Sequence, residues 1–170
     1  MKSVKHIIVC FSETGNTLKV AEAIREGIGD DSPVIRMEDA TDIDGFDLLF
    51  VGFPIRQFGP PAIVKKFAAS LPGRCRVALF ITHGAISDPD DPFQQEMLTK
   101  EMEKCKASFT HCEITGVFHC QGELSASMAD MMINSGIPML EKFGSMHPET
   151  MGHPNEQELE DARRFARKLR

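Results

Sequence analysis

The 170-residue chain predicts a doubly wound α/β domain: a five-stranded parallel sheet in the order 2-1-3-4-5, helices on both faces, and a Met-rich helical extension after strand five. Three observations carry this. Apolar runs alternate with segments of helical periodicity, the mark of repeated βα units. The runs Ile7–Phe11, Leu48–Val51 and Val77–Ile81 are nearly unbroken, as strands buried on both faces require. Val34–Met37 is short and carries Arg36, and Glu113–Val117 mixes polar with apolar residues, so the second and fifth strands form the edges. The order then reverses between strands one and three, and open α/β sheets bind ligands at such a point.

The elements follow in order. His6–Phe11 is the first strand; Val20, Ala21, Ile24 and Ile28 recur at helical spacing until Gly27 and Gly29 close the helix. Val34–Met37 leads through an acidic loop to the third strand, Phe46–Phe53. A helix from Pro61 to Leu71 carries Ile63, Val64, Phe67 and Leu71 on one face and stops at Pro72-Gly73. Strand Val77–Ile81, helix Pro92–Ser108 and strand Ile114–Phe118 complete the repeat. Six of the ten methionines fall between Met128 and Met151. Met131, Met132, Met139 and Leu140 are expected on one side of a broken helix near the carboxyl end of the sheet, as core filling or as an adaptable binding face. Asn155 caps a last helix, with carboxylates in its first turns, cations in its last, and Leu159, Ala162, Phe165, Ala166 and Leu169 as its buried stripe.

Composition bounds the function. With 42% hydrophobic and 26% charged residues, the chain reads as one globular domain spanning 1–170. A net charge of -6 without any basic stripe argues against nucleic acid and suits a basic protein partner. No export signal and no membrane-length apolar stretch is visible, so a cytoplasmic protein is expected. Five cysteines (Cys10, Cys75, Cys105, Cys112, Cys120) without a C-x-x-C pair make neither a disulfide framework nor a metal set; most are expected to be buried, inert thiols. Redox chemistry would then come from a bound organic cofactor.

The stretch Ser12-Glu13-Thr14-Gly15-Asn16-Thr17 sits between the first strand and its helix. Such a loop aims backbone N–H groups and the positive end of a helix dipole at one spot. Helix capping accounts for one or two hydroxyl or amide side chains, not for Ser, Thr, Asn and Thr together. A phosphate monoester suits three hydroxyls, an amide and a glycine. The Lys of a Walker loop and the three glycines of a dinucleotide fingerprint are both missing. With no Lys or Arg, the loop fits a phosphate that stays in place better than one being transferred.

This run after a buried strand resembles the phosphate-binding signature of the flavodoxins, which carry flavin mononucleotide (FMN). The resemblance implies a flavodoxin-like fold, FMN as cofactor, and Ser12, Thr14, Asn16 and Thr17 around its phosphate, with Glu13 at a variable position and Gly15 between. It also implies that two further loops hold the flavin ring: Pro54, Ile55, Arg56, Gln57, Phe58 and Gly59 after strand three, and Thr82, His83, Gly84 and Ala85 after strand four. Gly59 would offer backbone to the ring's N5 edge. Phe58 would stack on one face, or serve as a core residue at the helix start, with His83 or Ile86 behind the other face. The chain departs from many flavodoxins in having neither Trp nor Tyr, and in carrying Arg56 in a loop where a cation is unusual. Its Pro-Ile-x-x-Phe-Gly-x-Pro segment is more similar to certain flavin-dependent reductases of the same fold.

Three readings follow: an FMN-binding redox protein that shuttles electrons to a protein partner, an FMN-dependent NAD(P)H or quinone reductase acting on a small acceptor, and a binding or signalling domain without flavin. A phosphate-accepting receiver domain is disfavoured, because Cys10-Phe11-Ser12 and Gly52-Phe53-Pro54 stand where its acidic residues belong.

Overall fold

The computed structural model describes residues 3–84 and 90–170. Strands β1 (His6–Cys10), β2 (Val34–Arg36), β3 (Leu48–Pro54), β4 (Arg76–His83) and β5 (Glu113–Gln121) form one sheet in the order β2-β1-β3-β4-β5. Every pairing is parallel. The helices are α1 (Asn16–Ile28), α2 (Ala62–Ser70), α3 (Pro92–Ala107), α4 (Ala126–Ile133), α5 (Pro138–Ser145), α6 (His147–Thr150) and α7 (Glu156–Leu169).

Strand alternation sorts the central residues between two cores. Ile7, Val9, Leu49, Val51, Phe53, Leu79 and Ile81 meet Val64 and Phe67 of α2 and Leu98, Met102 and Cys105 of α3. Ile8, Cys10, Phe50 and Phe80 meet Val20 and Ile24 of α1 and Ala162 and Ala166 of α7. Burial on both faces thus explains the unbroken apolar runs. At the centre, the Phe80 ring fills the space beside Gly52, where a Cβ would come within 1.9 Å of Phe80 Cε2.

Several expected boundaries move for physical reasons. Gly27 does not close α1: it lies inside the helix and seats α7, since a Cβ there would come within 2.4 Å of the Arg163 carbonyl oxygen. Gly29 is the terminator, left-handed at φ 78° with its N–H on the Arg25 carbonyl. β4 runs two residues past Ile81, because Thr82 and His83 pair with Cys120 and Gln121 of a β5 longer than its apolar stretch. Asp91 caps α3 by accepting from the Phe93 and Gln94 N–H groups. α7 opens with a reciprocal capping box between Asn155 and Glu158.

The Met-rich extension after strand five is helical and broken, as expected; α4 and α5 are two short helices that pack chiefly on each other. Gly144 permits their close crossing, since a Cβ would come within 2.7 Å of the Ala129 carbonyl oxygen. Core filling is not what this segment's outer methionines do: Met131 is 62% exposed and Met139 39%.

Candidate functional site

The loop between β1 and α1 turns on Gly15, whose φ of 96° belongs to the left-handed region and suits glycine. Asn16 and Thr17 are the first helical residues, and Gly15 holds the cap position without a side-chain cap. Ser12 takes over that duty: its Oγ accepts from the N–H groups of Gly15 (3.2 Å) and Leu18 (3.3 Å). Among the described residues, the N–H groups of Thr14, Asn16 and Thr17 have no acceptor. A Cβ on Gly15 would meet nothing within 4 Å, so the backbone here is open to a ligand. Glu13 and Thr14 are exposed; Thr17 is buried.

Three further loop side chains are already engaged. Thr17 Oγ1 shares a hydrogen bond with Thr82 Oγ1 at 2.8 Å, tying the loop to the end of β4. Asn16 Nδ2 donates to the Glu123 carbonyl oxygen at 2.8 Å. Glu13 pairs with Arg56 at 2.5 Å, a contact between half-open side chains worth about 0–1 kcal/mol. Arg56 thus bridges the first and third strand loops.

After Pro54 ends β3, Arg56 and Gly59 face each other across a tight turn with reciprocal backbone hydrogen bonds of 2.9 and 3.1 Å. Gln57 (φ 48°) and Phe58 (φ 63°) are both left-handed, the geometry of a type I′ turn normally built from Asn and Gly. Each non-glycine residue there costs about 1–2 kcal/mol. Phe58 is half-buried and belongs to neither core, so it is not the core residue that was one expectation for it. Its carbonyl accepts from Lys104 Nζ at 3.4 Å. Ile55 packs against the α2 and α3 core, while Gln57 is exposed at the tip.

At the end of β4, Thr82 and His83 are strand residues rather than loop residues. His83 is buried, and its Nε2 lies 3.1 Å from Nδ1 of the exposed His119. Burial, with a smaller contribution from His119, pushes the His83 pKa down to about 3. The side of the His119 ring that packs on His83 is shielded from water, which lowers its pKa as well. Among the described residues, His83 Nδ1 is buried without a partner. Gly84 follows, against the Leu124 side chain. Ala85, Ile86 and Ser87 lie outside the described residues.

The β5–α4 loop was absent from the sequence expectation. Gly122 packs against the Asn16 side chain, and a Cβ there would come within 2.8 Å of Nδ2. Leu124 lies beside Gly84, and Gly122 N–H donates to the His83 carbonyl. The available signal was Gly122 just past the last strand, at the same edge of the sheet as the other loops.

Residues 7–167 match the flavodoxin domain family. The chain belongs to that family. Flavodoxin-like domain-containing protein BilS of Clostridioides difficile (strain CD3) is 24% identical over 175 residues, which cover 98% of this chain and 96% of that protein. Among solved structures, a flavodoxin from the domain Archaea is 19% identical with a TM-score of 0.55, covering 98% of this chain and 96% of the other. A flavoprotein from Lactobacillus acidophilus NCFM, solved in complex with FMN, is 16% identical with a TM-score of 0.54, covering 69% of this chain and 93% of the other. An azoreductase from Bacillus anthracis str. Sterne is 15% identical with a TM-score of 0.54, covering 98% and 100%. These likenesses show a shared flavodoxin-like fold, and the loop that opens α1 occupies the switch point of its sheet.

Proposed function

We propose that this flavodoxin-family protein binds FMN and shuttles electrons to a protein partner. One observation carries the reading: at the sheet's switch point, a loop that contains no cation presents, among the described residues, three unpaired N–H groups and the Thr14 hydroxyl beside an open Gly15. That donor set fits a phosphate monoester, because a dianion gains from several fixed dipoles at a helix N-terminus without a counter-charge that would favour transfer. FMN supplies the electron chemistry through its isoalloxazine ring. Ser12 holds the loop in shape, Thr14 and the N–H groups of Asn16 and Thr17 would receive the phosphate, and Thr17 is fixed by Thr82. The strained turn at Gln57-Phe58 and the end of β4 would border the ring, with Phe58 as its aromatic contact.

The test compares FMN with riboflavin by calorimetry. Loss of the phosphate should weaken binding by at least about a hundredfold, since each charge-assisted hydrogen bond contributes about 1.5–3 kcal/mol. Equal affinities would refute the assignment of the loop. In the FMN-loaded protein, steady oxidation of NADH or NADPH would favour the reductase reading; reduction only by a partner protein would favour the carrier.

A further inference from the structure

Of the nine large apolar side chains left exposed among the described residues, five fall between Met131 and Met151. Met131, Ile133, Ile137 and Met139 of the α4–α5 hairpin are 39–62% exposed, and Met151, just beyond α6, is 59% exposed. The inner faces of the two helices are used against each other through Ala129, Phe143 and Gly144. Helices of eight residues do not hold together in water by propensity, so exposing so much of a small hairpin's apolar surface costs stability that function must recover. Methionine is the side chain best able to adapt to another surface.

The charges around this face are one-sided. From Glu123 to Gly152 there are four carboxylates, Glu123, Asp130, Glu141 and Glu149, against the single cation Lys142, and all five are exposed. Two copies of the face would set like charges against each other, in a chain already at -6. A basic surface is the complementary occupant. The hairpin also springs from the cofactor end of the sheet: Glu123, two residues before the α4 cap Ser125, accepts from Asn16 of the phosphate loop.

We propose that the α4–α5 hairpin is the docking surface for a redox protein whose own electron-transfer group is ringed by Lys and Arg around an apolar centre. The assignment rests on the electron-carrier reading for its purpose, but the docking itself is measurable without flavin.

The probe is ferric cytochrome c, a basic haem protein, titrated into the full chain with and without FMN. At low salt a complex should form in both cases, with amide shifts confined mainly to 123–151. Affinity should fall about tenfold or more on raising the salt to about 0.2 M, as for charge-complementary docking. Met131→Ser with Met139→Ser, and separately Glu141→Lys, should each weaken binding at least fivefold, whereas Val4→Ser, before β1 at the opposite end of the sheet, should not. With FMN loaded and reduced, each flavin should pass one electron to each of two ferric haems and release its protons to solvent, and the hairpin variants should slow this step in proportion to lost affinity. Docking without electron transfer, in a chain that fails to bind FMN, would remove the carrier reading and leave the surface standing. No complex at low salt, shifts elsewhere, or binding indifferent to the hairpin variants would overturn the docking proposal. So would a dimer in sedimentation that Met131→Ser with Met139→Ser dissolves, which would make a second copy the occupant.

Discussion

Acidification should destabilise this protein through His83. Its ring is buried, its Nδ1 has no partner among the described residues, and burial pushes its pKa down to about 3 against 6.5 for the free side chain. Between those values the unfolded chain binds a proton that the folded chain refuses, so stability rises with pH through this window and is lost as pH falls from about 6.5 towards 3. Going from pH 7.5 to 5 should cost about 2 kcal/mol from this residue alone, since each pKa unit corresponds to about 1.4 kcal/mol. In a domain of this size that is a drop of about 4–8 °C in Tm. His83→Gln keeps a hydrogen-bonding group opposite His119 and removes the titration. Thermal unfolding of both proteins at the two pH values isolates the difference, because the remaining groups are common to both. If the two proteins lose the same amount of Tm, His83 is not held neutral by burial and the reasoning fails.

Three other outcomes are expected. Thr17→Val should orphan the Thr82 hydroxyl in the interior and cost about 1–3 kcal/mol, while Thr17→Val with Thr82→Val should regain most of it; additive losses in denaturant titrations would contradict the shared hydrogen bond, and FMN affinity in the double variant then reads the hydroxyl's own contribution. Gln57→Gly should stabilise the fold by about 1 kcal/mol by relieving the left-handed strain at φ 48°, and a lower Tm would show that the Gln57 side chain holds the turn. With no Trp and no Tyr in the chain, bound FMN should keep an appreciable part of its free emission, and Phe58→Trp should quench it and tighten binding by about 0.5–1.5 kcal/mol if residue 58 faces the ring; dark wild-type FMN would refute the first, a bright mutant the second.

The sheet was legible because its physics is local. Ile7–Phe11, Leu48–Val51 and Val77–Ile81 announce double burial by composition alone, and Arg36 and Glu113 betray the edges. The position of the Ser12–Thr17 loop, between a buried strand and its helix, was legible for the same reason, but the structural bonds of Ser12 to the turn's N–H groups, of Asn16 to Glu123 and of Thr17 to Thr82 were not. Thr82 and His83 read as loop because strand ends signal by apolar content, and these two are held by ladder bonds to a neighbouring strand whose own end is equally polar. The hairpin misled in the opposite direction. Methionine at helical spacing looks the same whether it faces a core or open water, and only the crossing at Gly144 shows that α4 and α5 spend their inner faces on each other. The contact of Asn16 with Glu123 joins residues 107 positions apart, beyond the reach of any spacing rule.

On the proposed function, that contact makes the Ser12–Thr17 loop and the root of the hairpin partners in a single thermodynamic cycle. An anion that turns the Asn16 amide towards itself competes with the Glu123 carbonyl for its N–H groups, and a weakened bond there loosens the anchor of the segment from Gly122 to Ser125. Coupling of this kind is reciprocal: whatever factor cofactor loading applies to the affinity of the hairpin, occupation of the hairpin must apply to the affinity for cofactor. Asn16→Ala would set that factor to one. A protein that keeps its redox group while handing over electrons needs the factor close to one or above it, and in this chain a single side-chain amide is placed to decide which.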